Sequence, residues 1–292
     1  MMRALKGLAW ALALLALPAA ADITATPALW HVRGPRGGEV YLLGSIHVLP
    51  PGVRWRSPAI DAAVRRADVF VFEVPEDARA MSRMQALVAA RGYLPEGQTL
   101  RDLIRPGKQA AFDAALQASG ISADAVAHDR PWLAGLAMLL AQTAKQKFDP
   151  ANGVDATLMT QARKNHKPLR YLETIDQQFA VLAPGDPQLE LEEFESSLDG
   201  LKDVAAEIKP LVDAWSAGDV RKLDTLVNGD LDEFPAARKA LLDDRNARWL
   251  PQIQAMLREK RVFFVTVGAG HLTGAGGLPA LLRNAGHEVE GP

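Results

Sequence analysis

One design occurs twice in this chain, and it limits the folds the chain can adopt. Val40–Pro50, VYLLGSIHVLP, is a run of strand-forming apolar residues that ends in Gly44, two further residues and His47. Phe263–Gly274, FFVTVGAGHLTG, repeats it, with apolar or β-branched residues leading to Gly268, two residues and His271. In each case glycine lets the backbone turn and approach a site closely, and histidine supplies a metal ligand or an acid/base near neutral pH. The histidines stand 224 positions apart, from 47 to 271. Only a fold that brings both ends of the chain into one sheet can join them.

The rest of the pattern fits that requirement. Pro27–Val32 and Glu39–Ser45 read as a hairpin across RGPRGG, and Ser57-Pro58 starts a helix that runs to about Arg66. Val69–Val74, VFVFEV, reads as a strand buried on both faces and broken only by Glu73. From about residue 77 to 260 the spacing is helical, apart from one strand, Leu169–Glu173. Helices are expected over Ala78–Ala90, Pro106–Ala118, Arg130–Lys147, Asp155–Asn165, Gln177–Leu182, Gln188–Leu198, Val204–Ala217 and Pro235–Lys260, the last with a kink or break at Pro251. A strand at Val262–Val267, a helix at Leu278–Asn284 and an edge strand in HEVEG close the chain as a βαβ unit. The expected fold class is α/β: a mixed, largely parallel sheet built from both chain ends, with a large helical insertion. In such sheets a ligand sits at the carboxyl ends of the strands. His47, Glu73, Glu173 and His271 all fall there.

The N-terminus reads as a secretory signal, residues 1–21, followed by one domain over 22–292. Arg3 and Lys6 precede the apolar run Gly7–Leu17, and Pro18 and Ala19–Ala21 complete a cleavage site. The run holds 11 residues, short of the ~20 a spanning helix needs, so no stable membrane insertion is expected once it is removed. Cleavage takes two positive charges from a net of −2, which leaves −4, with charges dispersed, and gives no basis for nucleic-acid binding. The chain has no cysteine, which excludes disulfides, thiolate metal sites and a cysteine nucleophile. A periplasmic or secreted protein held by its core alone is the expectation.

Glu73, at the end of a buried strand, has either a salt-bridge partner or a functional role as metal ligand or general base. Glu173 is placed similarly, beside a Thr174/Gln177 capping box. Asp155 opens a helix, where dipole stabilisation is the competing reading. Arg245 and Asn246 lie on an amphipathic helix; Arg245 is either surface or a group that polarises a carbonyl. Gly268-Ala-Gly270 lacks dinucleotide-loop spacing, and Walker, His-Glu-x-x-His and Gly-x-Ser-x-Gly motifs are absent. His31, His128, His166 and His287 lack a matching context and read as surface or structural.

The segments LLGSIHVLP, ADVFVFE, GVDATL, YLETIDQQ and the tail from RNARWLPQIQAML to GHEVE resemble the TraB/GumN family, which includes the TIKI metalloproteases. The resemblance covers most of the mature chain, and its specific part is the paired Gly-x-x-His with Glu73 and Arg245 between. It implies a fold similar to erythromycin esterases and haem-binding ChaN-like proteins, and a metal-dependent peptidase supported in animal members by manganese or cobalt. On that basis His47, His271 and Glu73, with Glu173 second, are expected to hold Mn²⁺, Co²⁺ or Zn²⁺. A remaining carboxylate would act as base and Arg245 as oxyanion stabiliser; Asp155, Glu173 and Asn246 gain weaker support. The animal enzymes are membrane-anchored, whereas only a signal peptide is expected in this chain, which sets their membrane-protein substrates apart from the substrate expected here. The expected partner is a peptide or protein substrate. Two alternatives stay open: a metal-free esterase-like hydrolase, and a non-catalytic periplasmic protein that binds haem, peptide or another small ligand.

Overall fold

Uninterrupted β-branched and aromatic runs become buried strands, and the amphipathic segments cover them. The computed structural model describes residues 23–145, 147–183, 185–232 and 235–292; the expected signal, residues 1–21, lies outside the described residues. In chain order the strands are β1 (Ile23–Thr24), β2 (Leu29–Arg33), β3 (Glu39–Ser45), β4 (Val53–Arg54), β5 (Val69–Phe72), β6 (Leu169–Tyr171), β7 (Val262–Gly268) and β8 (Val289–Glu290). The helices are α1 (Pro58–Arg66), α2 (Ala78–Arg91), α3 (Leu100–Leu103), α4 (Gln109–Ser119), α5 (Pro131–Lys145), α6 (Val154–Lys164) and α7 (Ile175–Leu182). They continue with α8 (Pro187–Ser197), α9 (Val204–Ser216), α10 (Val220–Asp232), α11 (Pro235–Arg238), α12 (Asp244–Met256) and α13 (Leu278–Asn284).

Six strands form the main sheet in the order β6-β5-β7-β3-β2-β8, and β1 and β4 form a separate parallel pair. The chain's last long strand, β7, therefore lies inside the sheet, parallel to β5 on one side and β3 on the other. Only β2 runs against the rest, pairing antiparallel with β3 and β8. The βαβ expectation needs one correction: β7 and β8 point the same way, but β3 and β2 lie between them, and β8 finds its hydrogen bonds on β2.

Both faces are covered, as continuous apolar strands require. Tyr41, Leu43, Phe70, Phe72 and Phe264 pack against α1, α6 and α9 through residues such as Ile60, Leu158 and Trp215. Val40, Leu42, Val71, Phe263 and Val265 pack against Trp249 and Ile253 of α12 and Leu282 of α13. Burying each such side chain contributes about 1.5–3 kcal/mol, whereas an exposed pair such as Arg83–Asp176 is screened by water and contributes little; the aromatic and aliphatic faces decide the fold. The inserted helices α3, α4, α5 and α8 surround a core of their own built on Phe112, Leu116, Met138 and Phe194.

Other boundaries shift. β5 and β6 stop before their glutamates because the backbone turns there: Leu172 and Glu173 N–H groups both donate to the Glu73 carbonyl (3.1 and 2.9 Å). The helix expected over Pro235–Lys260 is three pieces, α11, a π-type turn at Lys239–Asp243 and α12. Helix α12 continues through Pro251 because that residue and Ala247, four earlier, are on the exposed side, where water meets the carbonyl that proline leaves unpaired.

The two Gly-x-x-His motifs align in sequence but not in the sheet. Gly44 lies opposite Val267, and it is Ser45 that lies opposite Gly268. A one-residue offset reverses which face a residue serves. Gly44 gives room to the crossing chain, since a Cβ there would stand 3.0 Å from the Ala269 Cα. Gly268 is on the opposite face, where its missing Cβ leaves space for the site.

Candidate active site

Four strand ends supply the site. His47 is two residues past β3, Glu73 one past β5, Glu173 two past β6, and His271 sits in a short 3-10 turn, Ala269–Leu272, after β7. The first turns of α6 and α12 add Asp155, Arg245 and Asn246. A Cβ built on Gly268 would lie 3.4 Å from Glu73 Oε1 and 3.7 Å from both His47 Nε2 and His271 Cδ2. Those two ring atoms are therefore no more than twice 3.7 Å apart. All seven predicted residues belong to this one end of the sheet.

Arg245 is buried and bonded throughout. Its Nε donates to Glu173 Oε2 (3.2 Å), its Nη2 to Glu173 Oε1 (2.7 Å) and Glu73 Oε2, and its Nη1 to the Leu241 carbonyl (3.2 Å) and His271 Nε2 (2.9 Å). Its guanidinium also stacks 4.6 Å over the Trp249 ring. A guanidinium has five N–H donors, and these contacts use all of them. The oxyanion role expected of Arg245 is thereby corrected: no donor is left, and the residue instead organises two carboxylates and an imidazole.

Because Arg245 can only donate, His271 Nε2 must accept, which places the ring proton on Nδ1. That N–H donates to Asn246 Oδ1 (2.7 Å), and the Asn246 amide is fixed in turn by donating to the Gly276 carbonyl (2.9 Å). Burial, reinforced by the Arg245 charge, lowers the His271 pKa to about 3, so this histidine is neutral. Burial is the largest single influence on Glu73 and pushes it up, but Arg245, the two histidines and the Gly268 N–H (2.7 Å) together hold the carboxyl below its ordinary value.

His47 differs in kind. Its side chain is 65% exposed, its Nδ1 donates to Asp155 Oδ2 at 2.8 Å, and its Nε2 faces the space over Gly268. The Asp155 hydrogen bond, with Asp155 and Glu73 charges added, raises its pKa to about 9 against the opposing effect of burial. The loop is tied to the start of α6, where the Val154 N–H donates to the Ile46 carbonyl (3.2 Å). Gly153 allows that approach, because a Cβ there would meet the His47 carbonyl oxygen at 2.2 Å.

A metal ion needs convergent, unoccupied lone pairs. Here His271 Nε2 and three of the four oxygens of Glu73 and Glu173 accept from Arg245, and Glu73 Oε1 accepts from the Gly268 N–H. A cation already bridges the groups that would share a metal. Among the described residues, no group of three or more His, Asp or Glu is placed to hold one. The His47–His271–Glu73 set expected for Mn²⁺, Co²⁺ or Zn²⁺ does not fit this arrangement.

A cavity of about 650 Å³ opens over the cluster, with Ser45, His47, Glu73, Arg245 and His271 on its polar side. A smaller cleft of about 380 Å³ shares His47 and is lined by Glu73, Glu76 and Asp155. Sequence reasoning passed over Ser45 and Gly153, although both lie in segments it singled out, GSIH and GVDATL. The remaining histidines prove peripheral: His31 stacks on Tyr41 between Glu39 and Glu290, His128 contacts the Gln98 carbonyl, and His287 contacts Gln254.

A sequence model of the TraB/PrgY/gumN family matches residues 28–291. The chain is 24% identical over 256 residues to "Uncharacterized protein YbaP" of Escherichia coli (strain K12), covering 85% of this chain and 89% of that protein. Its Shigella flexneri counterpart matches to the same extent. No solved structure matches the chain.

Proposed function

The chain belongs to the TraB/PrgY/gumN family, and from that premise we propose that it is an exported hydrolase of amide or ester bonds with His47 as its acid/base. One observation carries the reading: His47 alone in the cluster combines an exposed ring, a nitrogen facing the cavity and a carboxylate, Asp155, that fixes its other nitrogen. Of the hydrolase forms the sequence leaves open, this geometry favours the one without a metal, because Glu73, Glu173 and His271 already accept from Arg245 and the Gly268 N–H, which leaves only His47 Nε2 unengaged.

In its neutral form His47 keeps Nδ1–H on Asp155 and takes a proton from water at Nε2. The hydroxide adds to the substrate carbonyl carbon. As the tetrahedral adduct collapses, the C–N or C–O bond breaks and Nε2 returns the proton to the leaving group. Ionised Glu73, with its surplus negative charge, stabilises the imidazolium between the two transfers. Arg245, Glu173 and Asn246 act through others: they hold Glu73 and a neutral His271 in place.

The test is turnover of fluorogenic peptide and ester panels by the mature protein, with and without chelator. Wild type is expected to turn over in chelator, and His47→Ala to lose about 10²–10⁴-fold. Turnover that survives His47→Ala, or that requires added metal, sinks this reading. Export to the periplasm or medium is part of the proposal, and an N-terminus at Asp22 in the secreted protein is its check.

A further inference from the structure

The cavity over the site is divided by chemistry. Its polar groups gather at the strand ends, and its walls are aliphatic: Leu139 and Leu140 from α5, Leu182 from α7, Leu211 from α9, Val227 from α10 and Leu241 from the π-type turn. Five large hydrophobic side chains are exposed among the described residues, and Leu139 (37%), Leu140 (48%) and Leu182 (41%) are three of them. Such a concentration on one rim marks a binding surface rather than scattered surface apolarity. Those walls are helical, so most of their backbone N–H and C=O groups are already paired, within the helices or, for the Leu241 carbonyl, with Arg245. An extended peptide needs partners for its own amides, as a sheet edge provides, and unpaired amides in an apolar groove are costly. A polymethylene chain has no such groups.

At the polar end a donor lacks a partner. Ser45 is buried, the residue is part of the cavity lining, and its Oγ has no hydrogen-bond partner among the described residues. It lies opposite Gly268 and two residues before His47, and a Cβ on Gly268 would stand 3.7 Å from His47 Nε2.

Building on the hydrolase reading above, we propose that the substrate is the ester or amide of a long-chain aliphatic acid. The acyl chain lies in the groove between α5, α7, α9 and α10, and its carbonyl oxygen accepts a hydrogen bond from Ser45 Oγ. The bond cleaved is the acyl C–O or C–N bond, with water as the co-reactant.

Two measurements on the mature protein test this. In the first, fatty acids of increasing length displace dansyl-undecanoic acid from His47→Ala protein; affinity is expected to rise roughly two- to fourfold per methylene, and Leu139→Asp or Leu182→Asp to weaken long-chain binding at least tenfold with an unchanged melting temperature. Both leucines are exposed, so the folded chain accommodates the change. In the second, kcat/KM is compared for p-nitrophenyl acetate, octanoate and palmitate, with the palmitate-to-acetate ratio falling at least tenfold in the same variants. Binding that ignores chain length, or displacement by apolar peptides and not by fatty acids, overturns the proposal. Length-dependent binding with no ester hydrolysed supports the groove and removes the hydrolase reading. Equal kcat/KM for acetate and palmitate retains the hydrolase and removes the groove.

Discussion

Replacing Arg245 with methionine is expected to destabilise the protein strongly at neutral pH and much less in acid. The guanidinium is the ionic partner of both Glu73 and Glu173, whose side chains are 8% and 1% exposed. Breaking a buried pair by deleting one partner costs about 3–5 kcal/mol, chiefly because the remaining charge is stranded; loss of the stacking on Trp249 adds about 0.5–2 kcal/mol. The pH dependence follows from Glu73. In the wild type its folded pKa is depressed, so it contributes stability above the unfolded carboxylate value, and that contribution is lost as pH falls through the folded one. In the variant burial acts without Arg245, the folded pKa rises, and Glu73 destabilises the fold at neutral pH until it is protonated. Urea denaturation followed by tryptophan fluorescence at neutral pH and near pH 5 measures the difference. Arg245→Met/Glu73→Gln is expected to recover about 1–2 kcal/mol of the loss at neutral pH, since it removes one stranded charge. A cost below about 1 kcal/mol, or one that does not change with pH, would refute the view that Arg245 holds Glu73 ionised in a buried cluster.

Three further substitutions separate the fold from the chemistry. Gly268→Ala is expected to leave the melting temperature unchanged within about 2 °C, since its Cβ makes ordinary contacts at 3.4–3.7 Å, yet to lower kcat at least tenfold because the methyl group fills the space between Glu73, His47 and His271. With His47 at a pKa of about 9, kcat/KM of the wild type rises about tenfold per pH unit up to that value. Asp155→Asn moves the inflection toward 6.5; a pH–rate profile left in place by this variant contradicts the His47–Asp155 assignment. The same pair contributes stability below about pH 6.5 that is lost as pH rises toward 9, because His47 has the higher pKa when folded; two-thirds exposure of the ring limits that contribution to about 1 kcal/mol. Ser45→Ala is neutral or slightly stabilising, since it removes an unpaired buried hydroxyl, and lowers kcat/KM about tenfold; unaltered kinetics would remove Ser45 from the substrate's path.

Much of the site could be read in the sequence because parallel strands carry their ligands at one end. Once Val40–Ser45, Val69–Val74, Leu169–Glu173 and Val262–Val267 were read as strands, His47, Glu73, Glu173 and His271 shared an edge by rule. What escaped was set by tertiary packing. The motif alignment equates Gly44 with Gly268, but register follows which face each strand buries, so the glycines stand one residue out of step. Arg245 on an amphipathic helix looks available; only the convergence of Glu73, Glu173 and His271 on it reveals that all its donors are used. Helix α10 went unread although Val220, Leu223 and Val227 recur at helical spacing, because Gly229 and frequent charges obscure the stripe. The π-type turn at Lys239–Asp243, whose Leu241 carbonyl receives Arg245, has no local signature.

The position of β7 governs how the molecule can be made. It is inserted between β3 and β5 from the last 31 residues of the chain, Val262 to Pro292, so during synthesis β3 and β5 each wait with one bare edge while residues 46–261 and 73–261, 216 and 189 of them, emerge. Contacts this distant in sequence slow folding, and unpaired edges invite association with other chains. Until β7 appears, the two halves of the sheet, β2 with β3 and β5 with β6, cannot close on one another, and the site, whose His271 follows β7, can assemble only after that strand has been made.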